Sequence, residues 1–397
     1  MTNNNDKKVL NVPPSTDKGN AIRNVPPLRF PEFSGEWKEE QLDSIATLSK
    51  GVGISKEQLS EVGEPCILYG ELYTKYKSEI IKQIESKTDI DCSKLKRSKA
   101  NDVIIPCSGE TAVDIATARC VPFDNILFGG DLNVISLHKY DGAFMSYQLN
   151  GKRKYDIARV AQGVSVVHLY GDHLKAIKTY NPTLPEQQKI AKLLSLLDDR
   201  IDTQNKIIED LKKLKSAISE RLFKSVKGFT VLLSDLCDIV KGKQINGENL
   251  SDSGNYYVMN GGTEPSGYYD NYNVEASTIS ISEGGNSCGY VQFNTSPFWS
   301  GGHCYSIQNI ADKVDNMYLY HYLKSNEDAI MKLRIGSGLP NIQKKDLAMF
   351  KIIVPKIEWQ IKISTFLSSL ERKAEIEERI QNVMQKQKLY LLQQMFI

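Results

Sequence analysis

PEQQKIAKLLSLLDDRIDTQNKIIEDLKKLKSAISERLF, residues 185–223, decides the architecture. No Gly or Pro interrupts residues 186–223, and Pro185 stands at the entry, where a helix tolerates its missing N–H. The seam positions at 3-4 spacing are Ile190, Leu194, Leu197, Ile201, Gln204, Ile208, Leu211, Lys215, Ile218 and Leu222. Eight of these ten are apolar, a sustained heptad pattern. Gly228 is the expected stop.

A shift of 173 residues aligns this stretch with the end of the chain without a gap. Gly163 falls on Gly336, Leu174 on Leu347, Pro182 on Pro355, Gln187 on Gln360, Ile190 on Ile363, Leu194 on Leu367 and Phe223 on Phe396. Fourteen of 61 positions are identical. Upstream the match weakens but persists: Lys50-Gly51 resembles Lys241-Gly242, and Gly129-Gly130 resembles Gly301-Gly302. The chain is therefore read as domain, helix, similar domain, similar helix.

The second helix, about 357–396, repeats the seam through Ile363, Leu367, Leu370, Ala374, Glu377, Gln381, Met384, Lys388, Leu391 and Met395. Each helix alone would expose an apolar stripe, so the two are expected to pack together, antiparallel because a domain lies between them. Pairing Ile190 with Met395 and Leu222 with Ile363 puts Gln204 opposite Gln381, a buried amide pair expected to fix register. The polar positions Gln187, Arg200 and Lys212 are expected to face outward.

The globular halves, 37–180 and 229–353, mix short apolar runs with Gly- and Asn-rich loops. Asp102–Pro106, Asn133–Leu137 and Ser277–Ser282 read as strands, and 141–150 and 316–333 as helical patches. The expected fold class is α+β, two similar domains alternating with two long helices in an antiparallel coiled coil. The expected boundaries are a disordered leader at 1–25, domains at 26–182 and 228–355, and helices at 183–227 and 356–397.

The net charge is only +2, so a nucleic-acid binder must concentrate its cations on one face. Basic clusters and loops mixing aromatics, amides and glycines supply candidate contacts. In the first half these are Tyr69, Glu71, Tyr73, Lys75, Tyr76, Lys96, Arg97, Ser108, Gly130, Asp131, Lys152 and Arg153. In the second they are Lys241, Lys243, Asn260, Gly261, Thr263, Tyr268, Tyr269, Glu283, Asn286, Trp299, His303, Arg334, Ser337 and Asn341. A 38-residue helix spans about 57 Å, enough to hold two readers one ~34 Å DNA turn or slightly more apart.

Catalytic patterns are sparse. Asn181-Pro182-Thr183-Leu184 superficially resembles a methyltransferase motif, but its repeat counterpart is Val354-Pro355-Lys356-Ile357, so it reads as the turn entering the helix. There is no GxxxxGK[ST] loop for ATP, no HExxH, no Cys/His set with zinc spacing and no GxSxG elbow. Seven scattered Cys suggest reduced thiols and a cytoplasmic protein. Two rival readings stay open: a scaffold that binds only protein, and a stand-alone methyltransferase or nuclease with dispersed carboxylates.

Val25-Pro-Pro-Leu-Arg-Phe-Pro-Glu-Phe-Ser-Gly-Glu-Trp37 and Leu184-Pro-Glu-Gln-Gln-Lys-Ile-Ala191 resemble the leader and first helical region of type I restriction–modification specificity subunits. Gly336-Ser-Gly-Leu-Pro-Asn-Ile342 is similar to the end of a target recognition domain in that family; its counterpart Gly163–Leu169 lacks the Asn. The resemblance implies a non-catalytic subunit that reads a bipartite, asymmetric duplex DNA target. It implies two methyltransferase subunits and two motor-nuclease subunits as partners. S-adenosylmethionine, ATP and Mg would serve those partners, with no cofactor or metal bound by this chain.

Overall fold

The computed structural model describes residues 24–163, 165–336, 338 and 340–397. The expected leader at 1–25 lies mostly outside them, as does Ser337. The two long helices run Leu184–Ser225 and Ile357–Gln394. The chain divides into two compact units, 1–203 with 382–397, and 204–381. Each unit therefore joins one globular domain to half of each long helix.

The same sheet is built twice. In the first unit, strands Ala46–Lys50, Leu132–Leu137, Asp102–Pro106 and Arg119–Val121 lie side by side in that order, all antiparallel. In the second, Asp238–Lys241, Cys304–Gln308, Thr278–Ser282 and Val291–Asn294 have the same order and sense. Strand Asp102–Pro106 is an apolar run because both its faces are covered. Val103 and Ile105 join Met145 and Leu149 of helix Gly142–Asn150, while Ile104 packs with Phe128 and Val134 on the other side. In the second unit, helix Asn316–Ser325 packs Tyr318, Leu319 and Leu323 on Ile279 and Ile307. The second helical patch breaks at Asn326, giving a separate short helix Glu327–Met331.

Antiparallel helix packing is visible inside each unit. Ile190 and Leu194 share a cluster with Leu392, Met395 and Phe396 in the first unit, and Phe223 shares one with Ile363 and Leu367 in the second. None of the expected seam residues is exposed. The amide pair is not formed, however. Gln204 donates to the carbonyl and carboxylate of Glu377, at 3.1 and 2.6 Å, and Gln381 donates to Asn205. Side chains lean toward the N-terminus of their own helix. Two residues placed opposite by a heptad sum need not meet, and an acidic acceptor makes the stronger bond.

Gln187 also departs from expectation: it is buried, not outward. Its amide donates to the Pro182 carbonyl at 2.8 Å and accepts from the Asp141 N–H at 2.9 Å. Gln360 repeats this with Pro355, at 2.9 Å, and Asp315, at 2.8 Å. The Asn181-Pro182 turn is thus framework in both halves. Arg200 is exposed, and Lys212 pairs with Glu378 at 2.6 Å. The leader segment docks on the helices: Arg29 grips Glu186 with two bonds of 2.7 and 2.8 Å, and Leu28 donates to the Gln394 carbonyl at 2.9 Å. Asn24, expected to be disordered, accepts from the Trp37 N–H at 2.7 Å.

His321 sits beneath the helix pair in the second unit, only 2% exposed, with Nε2 at 2.8 Å from Ser368 Oγ. Burial pushes its imidazole down to about 4. Below about pH 6.5 the unfolded chain takes up a proton that the folded one refuses. Stability from this group is therefore present above about pH 6.5 and lost as pH falls toward about 4, by up to ~3 kcal/mol. Urea unfolding of wild type and His321→Gln at about pH 7 and about pH 4.5 checks this. The wild type should lose more than the variant on acidification; equal losses would remove His321 as the cause.

Candidate nucleic-acid interface

The repeated sheet has two ends with different surroundings. In the second unit, the connection after strand Cys304–Gln308 leads to Asp315, which binds Gln360 of the second long helix. The opposite end gathers the close of strand Asp238–Lys241, the close of Thr278–Ser282 and the start of Cys304–Gln308. Six of the expected contacts converge there. Lys241 Nζ donates to Glu283 Oε1 at 2.6 Å, and His303 Nδ1 stands 3.8 Å from Glu283 Oε2. The Asn260 carboxamide accepts from the His303 N–H at 3.1 Å, Gly261 accepts from Ser282 Oγ at 2.6 Å, and Asn341 bridges to Gly284. Gly261 has φ +87°, a left-handed turn that suits glycine. Tyr305, absent from the expected set, places its hydroxyl 3.2 Å from Glu283 Oε1 and 3.0 Å from the Ile342 carbonyl. Burial, with the carboxylate beside it, pushes that phenol up, so it stays a neutral donor.

A second group lies on the neighbouring small sheet. Trp299 donates from its indole to the Lys243 carbonyl at 2.9 Å, and its ring meets Tyr269 edge-on at 5.1 Å. Tyr268 is in the same short strand, and Thr263, Asn286 and Arg334 are exposed nearby in sequence but lack a bond into either group among the described residues.

The first unit arranges its end differently. Tyr69, Tyr73 and Ser108 line one cleft with Gly109, Asp114 and Val166. Tyr73 donates to the Ser108 carbonyl at 3.0 Å. Lys50, at the position of Lys241, lies 5.8 Å from the centre of the Tyr170 ring, which stacks beside His168. These three were missed; the Lys50–Lys241 alignment was the available signal. His168 occupies the place of Asn341: each bridges back across its hairpin, to Gln162 and Ile335, and across to Ser108 and Gly284. Gly130 and Asp131 flank the same sheet end.

Other expected contacts are used internally. Glu71 is buried, accepting from Lys75, at 2.8 Å, from the Leu68 N–H and from Ser86. Tyr76 is buried with its hydroxyl bonded by the Glu85 N–H at 3.2 Å. Arg97 holds Glu64 through two bonds, 2.5 and 2.9 Å, beside Lys96 on a second sheet. Arg153 donates to the Ile397 carbonyl at 3.1 Å and covers the Tyr180 ring, so it belongs to the helix-facing end, next to exposed Lys152.

Among the described residues no His, Cys, Asp and Glu group could hold a metal, and no helix is long and apolar enough to cross a membrane. All seven cysteines are buried and free. Burial pushes the Cys120 and Cys237 thiols up to about 12, which makes them poor nucleophiles.

Comparison with known proteins agrees with this organisation. A type I specificity subunit of Mycoplasma genitalium is 34% identical over 122 residues, 30% of this chain and 31% of that one. The match spans about a third of that relative and 38% of a Mycoplasma pneumoniae one. The MjaVIII type I restriction enzyme specificity subunit of Methanocaldococcus jannaschii is 24% identical over 329 residues, 72% of this chain and 76% of that one. The crystal structure of a type I restriction–modification S subunit from M. genitalium superposes with a TM-score of 0.67 at 19% identity, covering 94% of this chain and 99% of that one. With two matched segments, residues 34–213 and 228–386, the chain belongs to the type I restriction modification DNA specificity domain family.

Proposed function

We propose that this chain reads a bipartite, asymmetric duplex DNA target, one half per globular domain, and brings two methyltransferase subunits and two motor-nuclease subunits to it. The observation that carries this is the repeated sheet with unlike ends. Lys241, Glu283, Asn260 and His303 gather in one copy, and Lys50, Tyr170, His168 and Tyr73 lie about the other. Such groups match the donors and acceptors of base edges and phosphates. Adenine methylation with S-adenosylmethionine, and ATP- and Mg-dependent restriction, are assigned to the partners, and this chain carries no catalysis. The helices expose Leu196, Ile207, Leu214, Phe366, Ile380 and Val383, apolar surface suited to subunit docking. The complex would act in the cytoplasm.

The test is a domain exchange. The chain, co-expressed with its methyltransferase partner, should methylate adenines in a two-part motif. Replacing residues 37–180 with those of a relative should change only one half of it. A motif altered in both halves, or in neither, overturns the assignment of one half per domain. A protein-only scaffold predicts no DNA binding at all. The reconstituted complex should instead lose about 10³–10⁵ in affinity between ~50 and ~200 mM salt if it neutralises some six to ten phosphates.

A further inference from the structure

Among the described residues, Glu283 is the one acidic group at this end of the second unit's sheet that is buried and incompletely bonded. It is 8% exposed. Its backbone is cinched on both sides, the N–H donating to the His303 carbonyl at 2.9 Å and the carbonyl accepting from Ile342 at 2.8 Å. Oε1 receives Lys241, at 2.6 Å, and Tyr305, at 3.2 Å. Oε2 has no hydrogen-bond partner and is buried beneath His303, whose Nδ1 is 3.8 Å away and whose side chain is 62% exposed. A buried carboxylate oxygen without a donor costs free energy, and such a cost persists where a ligand supplies the donor.

The first domain does not share this device. In the matching sheet registers, Lys50 takes the place of Lys241, Asn133 that of Tyr305 and Cys107 that of Glu283. The carboxylate is therefore particular to one reader, as a group that selects sequence must be.

We propose that Lys241 and Glu283 together read one G·C base pair in the half of the target contacted by the second domain, with His303 as the movable cover over the free oxygen. This rests on the DNA-reading function proposed above. The major-groove edge of G·C presents guanine N7 and O6 as acceptors beside the cytosine N4 amino donor. Lys241 Nζ is the complementary donor, and Glu283 Oε2 the complementary acceptor. An A·T pair offers a methyl group or the reversed pattern to the same two side chains. Glu283 also acts as a positioning residue, since it fixes the ammonium that would otherwise wander on a flexible stem.

The experiment uses the complex of the full chain with its methyltransferase partner and a duplex library randomised over both half-sites, sequenced after methylation. Wild type should show a two-part motif with G·C at one position of the second half. Lys241→Met and Glu283→Gln should each lower the preference for G·C at that same position by roughly tenfold or more, with the first half unchanged. Lys241→Arg should retain it. Lys241 is half exposed, so its variants stay informative if Glu283→Gln fails to fold. Loss of methylation by one factor on every sequence would overturn the proposal, because it marks a phosphate contact or a structural role. So would two variants relaxing different positions. A wild-type complex that methylates no two-part motif defeats the DNA-reading function itself, a separate result.

Discussion

Replacing Lys388 with methionine is expected to cost roughly 3–5 kcal/mol of folding stability, the range for breaking a buried ion pair from one side. Lys388 Nζ lies 2.6 Å from Glu79 and 2.6 Å from Asp198, and the three side chains are 18%, 9% and 5% exposed. Tyr147 donates to the second Asp198 oxygen at 2.7 Å, and its ring lies under the ammonium. Burial pushes the Asp198 carboxyl up, and the attraction of Lys388 only partly opposes this. Burial would likewise lower the Lys388 ammonium, but the two carboxylates hold it above its ordinary value. Without the ammonium, two like charges remain in a site with little solvent. Glu79 belongs to the domain, Asp198 to the first long helix and Lys388 to the second, so the loss removes one tie that joins all three. The repeat provides the control. Lys215 and Glu371 occupy the equivalent helix positions at 2.6 Å, but are 21% and 29% exposed. Lys215→Met should cost only about 1 kcal/mol. Adding Glu79→Gln and Asp198→Asn to Lys388→Met should restore much of the loss, since neutral groups have little to desolvate. Urea unfolding measures all four proteins, and equal costs for Lys388 and Lys215 would show that burial of the cluster is not what matters.

The helices, the duplicated framework and the strands were legible because their signals are periodic or repeated along the chain. Gln187 and Gln360 align in sequence, and the structure gives each a proline carbonyl five residues before it and the N–H of an aspartate. What the alignment could not supply was direction: a glutamine at the first turn of a heptad helix reads equally well as outward or buried. Lys388 reads from the sequence only as a seam position that is not apolar, because its partner Glu79 is 309 positions away and no local pattern links them. The candidate site suffered in the same way. Lys75, Glu71 and Arg97 have the composition of a contact surface, yet Lys75 bonds to Glu71 and Ser86, and Arg97 to Glu64, within the same domain. Lys241 and Glu283, 42 positions apart, were each singled out but not as a pair; only the strand order brings them together.

The repeated Lys-Gly and Gly-Gly pairs carry the other large effect. Gly51 donates to the Leu132 carbonyl and Gly242 to the Cys304 carbonyl, each at 2.9 Å. The next residues, Val52 and Lys243, bond to Phe128 and Ser300, also at 2.9 Å. The chain thus runs backbone against backbone beside Gly129 and Gly301. A Cβ on Gly51 would fall far inside contact with the Gly129 carbonyl, and one on Gly242 inside contact with those of Ser300 and Gly301. The obstacle is main chain held by strand pairing, so it cannot rotate away as a side chain would. Gly51→Ala and Gly242→Ala should each cost about 3 kcal/mol, the upper range for overpacking. Gly53→Ala, whose Cβ meets nothing within 4 Å, should stay within about 0.5 kcal/mol. Gly51→Ala and Gly242→Ala are also expected to displace the lysine beside them, Lys50 or Lys241, at the proposed DNA-reading end. Gly242→Ala should therefore degrade reading of the second half-site more than the first, and Gly51→Ala the reverse. Calorimetry and methylation of half-site variants separate the two consequences. If Gly242→Ala melts with the wild type, the glycine is there for a reason other than close approach. If it melts earlier but both half-sites are still read equally, the Lys241 end of the sheet is not where the second domain meets DNA.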